Sequence, residues 1–200
     1  CMKRYRQVHL HINMNELFIF ASGAIEAREG VIEQSAEFFN QRLFMQLKER
    51  GYSHELVTLG LSVISERPLQ VSRFLDTFHE VMNEKWFLQL VTSAVRVRNI
   101  LSKAEGLRTE VDKVLFESPA ERELDKEIDR VIPLVGSSLE EYDWKDLTYQ
   151  LSLLSPAITR FFDEVLVMDN DPEKRESRLA LLDKCNNLFL MIGDLGNLNI

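Results

Sequence analysis

Chain breakers are scarce in this sequence: 200 residues contain only 8 Gly and 5 Pro. That scarcity excludes collagenous, low-complexity and loop-rich architectures. Cysteine is almost absent too. Cys1 and Cys185 are too few for a disulfide framework, and they point to reducing, cytoplasmic surroundings with Cys185 as a small apolar residue on a helix. The four histidines (His9, His11, His54 and His79) lack the i,i+4 spacing of a helical zinc pair and have no Cys pair beside them, so no metal site is expected. No apolar run approaches the roughly 20 residues that span a bilayer. The opening "CMKRYRQVHLHIN" has basic residues but no apolar core, so it is not expected to be a secretory leader. A start on Cys-Met reads as the beginning of a piece cut from a longer chain.

Catalytic signatures are missing as well. There is no Gly-rich phosphate loop, no G-x-S-x-G elbow, no H-E-x-x-H and no C-x-x-C. "MDNDPEK" approaches a calcium loop, but Lys174 stands where the sharp turn needs Gly and Ala180 where the bidentate Glu belongs. Asp171 reads better as a helix cap. No catalytic residue and no cofactor site is expected within these residues.

What is present is apolar helix. The hydrophobic content of 45% is enough for a substantial core. In Met14–Ile25 the apolar residues Leu17, Phe18, Ala21, Ala24 and Ile25 recur at three- and four-residue spacing. A second helix is expected over 31–50, ended by Gly51, and a third from Ser53 as cap to about Ile64. Pro68 opens a fourth that reaches about Met82, and a fifth runs from Glu84 to about Ala104. Beyond a less regular stretch, Ser118-Pro119, Ser155-Pro156 and Asp171-Pro172 repeat the cap-then-Pro start, and Ser137 or Ser138 is expected to cap the helix between. The fold class is therefore all-α, a multi-helix bundle of about nine helices. "QVHLHIN" alternates like a strand but has no partner strand, so it reads as the tail of a preceding element.

The net charge of −8 is unevenly spread. Residues 1–104 hold 13 Lys/Arg against 11 Asp/Glu, while residues 105–146 hold 6 against 13. That step places a subdomain joint near 106–118, between a helical part over 1–105 and a second over 106–200. The carboxylates of 117–129 interleave with Arg122, Lys126 and Arg130, the pattern of a solvated face with weak i,i+4 pairs.

Against that acidity, "SAVRVRNIL" (93–101) places two arginines in an apolar helix. At 100° per residue Leu90, Val97, Leu101 and Ala104 share one stripe, which is the core face. Thr92, Arg96, Asn99 and Lys103 lie opposite, as a row of donors suited to phosphates and base edges. Arg98 falls at the edge of the core, where its stem covers apolar surface and its head pairs with a carboxylate. Leu101 and Phe162 are both expected in the core. If the stripe is only a wet helix face, Arg160, Arg175 and Arg178 are the next cations to consider.

"RVRNIL" (96–101), "VDKVLFESPAERELDKEI" (111–128) and "LSPAITRFFDEVLVMDNDPEKRESRLALLDKCNNLFLMIGDLGNL" (154–198) together resemble the C-terminal part of the β subunit of bacterial-type glycyl-tRNA synthetase. "INMNELFIFASGAI" and "FFNQRLFMQLKERGYSHELV" fit the preceding stretch of the same family, so the similarity covers nearly the whole chain from about residue 10. The C-terminal half is also similar to the DALR-type anticodon-binding domain, an all-helical module. Arg96 and Asn99 match the fixed positions of the family's R-V-x-N-I pattern, and Arg98 its variable one. The ending "GDLGNLNI" departs from the family's usual tail.

The resemblance implies a tRNA-binding role for tRNA(Gly), gripping the anticodon arm through Arg96, Asn99 and Lys103, with Arg160, Arg175 and Arg178 as further candidates. It implies that the parent is an aminoacyl-tRNA synthetase, a glycine–tRNA ligase of the cytoplasm using ATP and glycine. Catalysis in that family lies on an α subunit or a fused α portion. It implies no DNA and no membrane partner. Glycine codons are GGN, so two anticodon bases are cytosines, whose N4 amino donors are read by carboxylate or amide oxygens. Trp86, Phe87, Tyr142 and Trp144 are candidate stacking surfaces for unpaired bases. The alternative reading is a non-catalytic helical scaffold that docks a protein partner on its acidic middle segment.

Overall fold

The computed structural model describes residues 12–24, 30–104 and 110–198. The alternating segment before Ile12 therefore lies outside the described residues, apart from its last two positions. Among the described residues there are nine α-helices, three short 3-10 turns and no strand. The chain forms two compact units, Cys1–Leu75 and Asp76–Ile200. The expected joint near 106–118 lies inside the second unit.

In the first unit, α1 (Met14–Ala24) starts where the Asn13 side chain accepts from the Asn15 and Glu16 amides. Next, α2 (Val31–Glu49) ends just before Gly51, whose φ of 97° is the left-handed turn that favours glycine. The Ser53 hydroxyl oxygen accepts from the Leu56 amide at 3.1 Å and caps α3 (His54–Ile64), as its position suggested. Then α4 (Pro68–Val81) begins on the expected proline. Leu47, Val57, Val71, Phe74 and Leu75 are buried together in this unit. Gly60 lets α3 approach α4: a Cβ there would meet Leu75 at 3.1 Å and Phe74 at 3.3 Å.

The second unit takes the end of α4 and adds α5 (Lys85–Leu101), α6 (Pro119–Glu140), α7 (Trp144–Ser152), α8 (Ser155–Glu164) and α9 (Pro172–Phe189). A 3-10 turn at Lys113–Leu115 precedes α6, and two more follow α9 at Leu190–Ile192 and Leu195–Asn197. Both α5 and α6 pack against α7, α8 and α9. Six successive residues of α9, Ser177 to Leu182, are all buried. Within that run the helix is covered on every side, so its residues there show no amphipathic alternation. Cys185 is in that core, and burial pushes its thiol well above the ordinary range.

Two expected helix starts are wrong. Ser137 and Ser138 do not cap a helix, because α6 continues through Pro133 and Gly136 to Glu140. Pro133 is on the exposed side, where its missing hydrogen bond faces solvent. The cap of α7 is Asp143, whose carboxylate accepts from the Asp146 amide at 3.0 Å. Nor does Ser155 cap α8: it is already the first helical residue, following Leu154 in a helical conformation. Ser118 and Asp171 do cap their helices, accepting from the Ala120 and Glu173 amides at 3.1 and 3.0 Å.

Candidate functional site

On α5, Leu90 and Val97 are fully buried and Leu101 nearly so. Arg96, Asn99 and Lys103 are exposed on the other side, with Lys103 just past the helix end. The helical period alone produces this separation. Among the described residues, neither Asn99 nor Lys103 has a side-chain hydrogen bond or ion pair.

Arg96 is held differently. Its guanidinium carbon lies 4.3 Å from the centroid of the Phe162 ring on α8, and its Nη2 is 4.0 Å from Asp163 Oδ1. The ring orients the guanidinium by cation–π attraction. The Asp163 contact is too long to be a hydrogen bond. Phe162 is consequently half-buried at the surface, and Phe161 is the residue of this pair that fills the core. The expectation that Phe162 is a core residue is corrected accordingly.

Arg98 has the separate place expected of it. Its Nη1 donates to both carboxylate oxygens of Asp194, at 2.6 and 2.8 Å. Asp194 also accepts from the Gly196 amide and the Asn197 side chain. The pair thus fastens α5 to the final 3-10 turn. The guanidinium lies so close to Gly196 that any Cβ there would collide with it.

The remaining candidate cations are occupied by the protein itself. Arg178 is 5% exposed. It donates to Glu121 at 2.9 Å, Asp169 at 2.6 Å, Glu117 at 3.3 Å and the Leu166 carbonyl at 3.0 Å. A cation so enclosed offers nothing to a phosphate, and its role is to join α9 to α6. Arg175 donates to the Asp169 carbonyl. Arg160 stays on the surface but is flanked by Glu164, at 2.7 Å, and Glu123. Hydrogen bonding and charge from those two carboxylates hold its pKa above the ordinary value. Of the four aromatic candidates, Phe87 and Trp144 are core residues, while Trp86 and Tyr142 are half-exposed.

The acidic segment is only in part the solvated face its spacing suggested: Glu117, Arg122, Lys126, Asp129 and Arg130 are exposed, but Glu121 and Asp125 are buried. Glu117 and Glu121 take Arg178, Asp125 and Asp129 take Lys113, Glu123 takes Arg160, and Glu117 also takes Lys174. Those pairings tie the segment to residues distant in the sequence. Contacts with Asp125 and Glu117 hold the Lys113 and Lys174 ammonium groups protonated above their ordinary range. Sequence spacing missed this because every partner but Arg130 lies outside α6.

Between α5 and α8 runs a cleft of about 630 Å³, lined by Lys85, Gln89, Thr92 and Ser93 on one side and Ser155, Thr159, Arg160, Asp163 and Glu164 on the other. Arg96 and Phe162 adjoin it through Asp163. Among the described residues no group of three or more His, Cys, Asp or Glu can hold a metal ion, and no helix is long and apolar enough to cross a membrane.

The helices that build this surface coincide with a known module. The model of the DALR anticodon binding domain matches residues 90–193, from the middle of α5 to just past α9. Over 90% of its length the chain is 32% identical to the glycine–tRNA ligase beta subunit of Aromatoleum aromaticum, covering 26% of that protein. It is 31% identical over 95% of its length to the beta subunit from Thiobacillus denitrificans, covering 28%, and 29% identical over 94% to that from Thermotoga neapolitana, covering 27%. The chain therefore spans about a quarter of the length of these relatives. With more than half of its residues in the match, the chain belongs to the DALR anticodon binding domain family.

Proposed function

We propose that this chain binds the anticodon arm of tRNA(Gly) as a non-catalytic region of a glycine–tRNA ligase beta subunit. The observation that carries the reading is the row of exposed donors, Arg96, Asn99 and Lys103, on the helix where the family match begins. Cations there contact phosphates, and the Asn99 amide has the donor and acceptor to read a base edge. Arg160, at the neighbouring cleft, is a secondary contact. Arg175 and Arg178 serve the fold instead. In this reading an α subunit, or a fused α portion, joins glycine to the tRNA with ATP in the cytoplasm. The acidic docking scaffold is the weaker reading, since Glu117, Glu121, Glu123 and Asp125 of the acidic segment are paired within the chain.

Binding of the chain to a glycine-accepting tRNA, and to an anticodon-swapped version, is the test. Measured at several salt concentrations, Arg96→Ala and Lys103→Ala should each weaken binding and flatten the log–log salt slope by roughly 0.7 per lost phosphate contact on a single strand. Asn99→Ala should alter anticodon preference with little change of slope. Wild-type affinity and slope in both cation variants would remove the stripe from the RNA surface. The same preparation should show no glycine-dependent ATP–pyrophosphate exchange, and exchange by the pure chain would overturn its non-catalytic assignment.

A further inference from the structure

The cleft between α5 and α8 has features that phosphate binding does not call for. Its lining sets two carboxylates, Asp163 and Glu164, beside two cations, Lys85 and Arg160, and Arg160 is already paired with Glu164, so the cleft is not simply cationic. Ser155 lines it while being 5% exposed, and its hydroxyl makes no hydrogen bond among the described residues. Buried hydroxyls are rarely left so. Next to the lining residue Asp163, the Phe162 ring holds the Arg96 guanidinium as a plate whose side chain is still 47% exposed.

Such a plate is one of the surfaces on which unpaired bases stack. Asp163 stands beside it, 64% exposed and 4.0 Å from Arg96. It makes no hydrogen bond with Arg96, so its oxygens keep their lone pairs for a donor. Cytosine presents an N4 amino donor at its edge, whereas uracil presents the O4 acceptor, which a carboxylate repels. The cleft's size lies within the range of about 300–1,000 Å³ found for small-ligand sites. From these observations, and resting on the tRNA-binding reading above, we propose that the α5–α8 cleft seats one unpaired cytosine of the anticodon. The base stacks on Arg96 over Phe162, and Asp163 accepts from its N4 amino group.

Asp163 acts here as a specificity residue, and Phe162 positions the arginine. The test is equilibrium binding of the whole chain to a glycine-accepting tRNA and to two transcripts, each with one anticodon cytosine changed to uracil. Wild-type chain should lose about tenfold or more in affinity for one of the two. Asp163→Asn, whose amide can donate to uracil O4, should lose that preference. Thr92→Trp, which obstructs the cleft from an exposed position, should lose it too. Phe162→Leu should weaken cytosine and uracil forms alike, by freeing Arg96 from its plane. Circular dichroism checks that each variant is folded.

If folded Asp163→Asn and Thr92→Trp keep the wild-type preference at both positions, the cleft is not the seat of the base, although the tRNA reading stands. If wild-type chain binds both altered transcripts as well as the native one, the cytosine assignment fails in the same way. If it binds none of the three above an unrelated RNA, both readings fall.

Discussion

Arg96, Arg98 and Arg178 have the same side chain and three different surroundings. Arg96 rests on a ring at the surface, Arg98 clamps a turn, and Arg178 is buried among carboxylates. The first two were legible, because one helical period separates an outward residue from one at the core edge. Arg178 was not. Its partners Glu117 and Glu121 are 61 and 57 positions away, and no local spacing encodes a pairing that the fold creates. Arg178→Met should therefore cost about 3–5 kcal/mol, since it strands the buried Glu121 carboxylate without its cation. A chemical denaturation midpoint equal to that of the wild type would refute this role. Asp169, in the same cluster, accepts from the Asp171 amide and from Arg178, and these hold its carboxyl below the ordinary value. A depressed carboxyl contributes stability above its unfolded pKa, about 4, and loses it as pH falls through the lower folded value. Asp169→Asn should be less stable than wild type at pH 7 and should lose less stability on acidification below about pH 4. Parallel acid limbs for the two proteins would count against it.

At the level of the helix, punctuation was readable where one motif satisfied several backbone donors at once. Ser118 shows this: its hydroxyl oxygen accepts from the Ala120 amide, while Glu121 reaches back to the Ser118 amide at 2.7 Å and completes the capping box. Glu121 also accepts from Arg178, so the start of α6 and the buried cluster share one carboxylate. Ser137, Ser138 and Ser155 misled for a physical reason, because a serine within a helix can turn its hydroxyl to the preceding turn or into the core. The Ser138 hydroxyl shares its one proton between the Leu134 carbonyl at 2.9 Å and the Asp146 carboxylate at 2.5 Å, bracing α6 against α7. Tertiary packing of Val131 and Val135, both fully buried, carries α6 across Pro133 despite the lost hydrogen bond. Because that proline is exposed, Pro133→Ala should restore the bond without disturbing the core. A gain of about 1–3 kcal/mol is expected. A lowered melting temperature would mean instead that α6 needs a bend there to reach α7 and α8.

Considered whole, the molecule divides where its sequence gives no warning. No Gly, Ser or Pro run marks the passage from Leu75 to Asp76, and the division falls within α4. A step in charge tracks surface composition, whereas a compact unit is defined by which apolar side chains share a core. Phe78, Val81 and Phe87 belong to the core of the second unit, with the Phe78 and Phe87 rings edge to face at 5.3 Å. The family match lies entirely in that unit, and so do the donor stripe and the cleft. A fragment from Pro68 to Ile200 keeps α4 whole and retains about 130 residues, enough to bury a core of its own. It should unfold in a single cooperative transition and keep the full chain's preference between cytosine and uracil at the anticodon, because no residue assigned to recognition precedes Lys85. Denaturation followed by circular dichroism, with tRNA binding on the same preparation, is the measurement. A non-cooperative transition would show that residues 1–67 are needed to complete the fold. Cooperative unfolding with the preference abolished would place part of the base-reading surface in the first unit, and the assignment to α5 and α8 would fail.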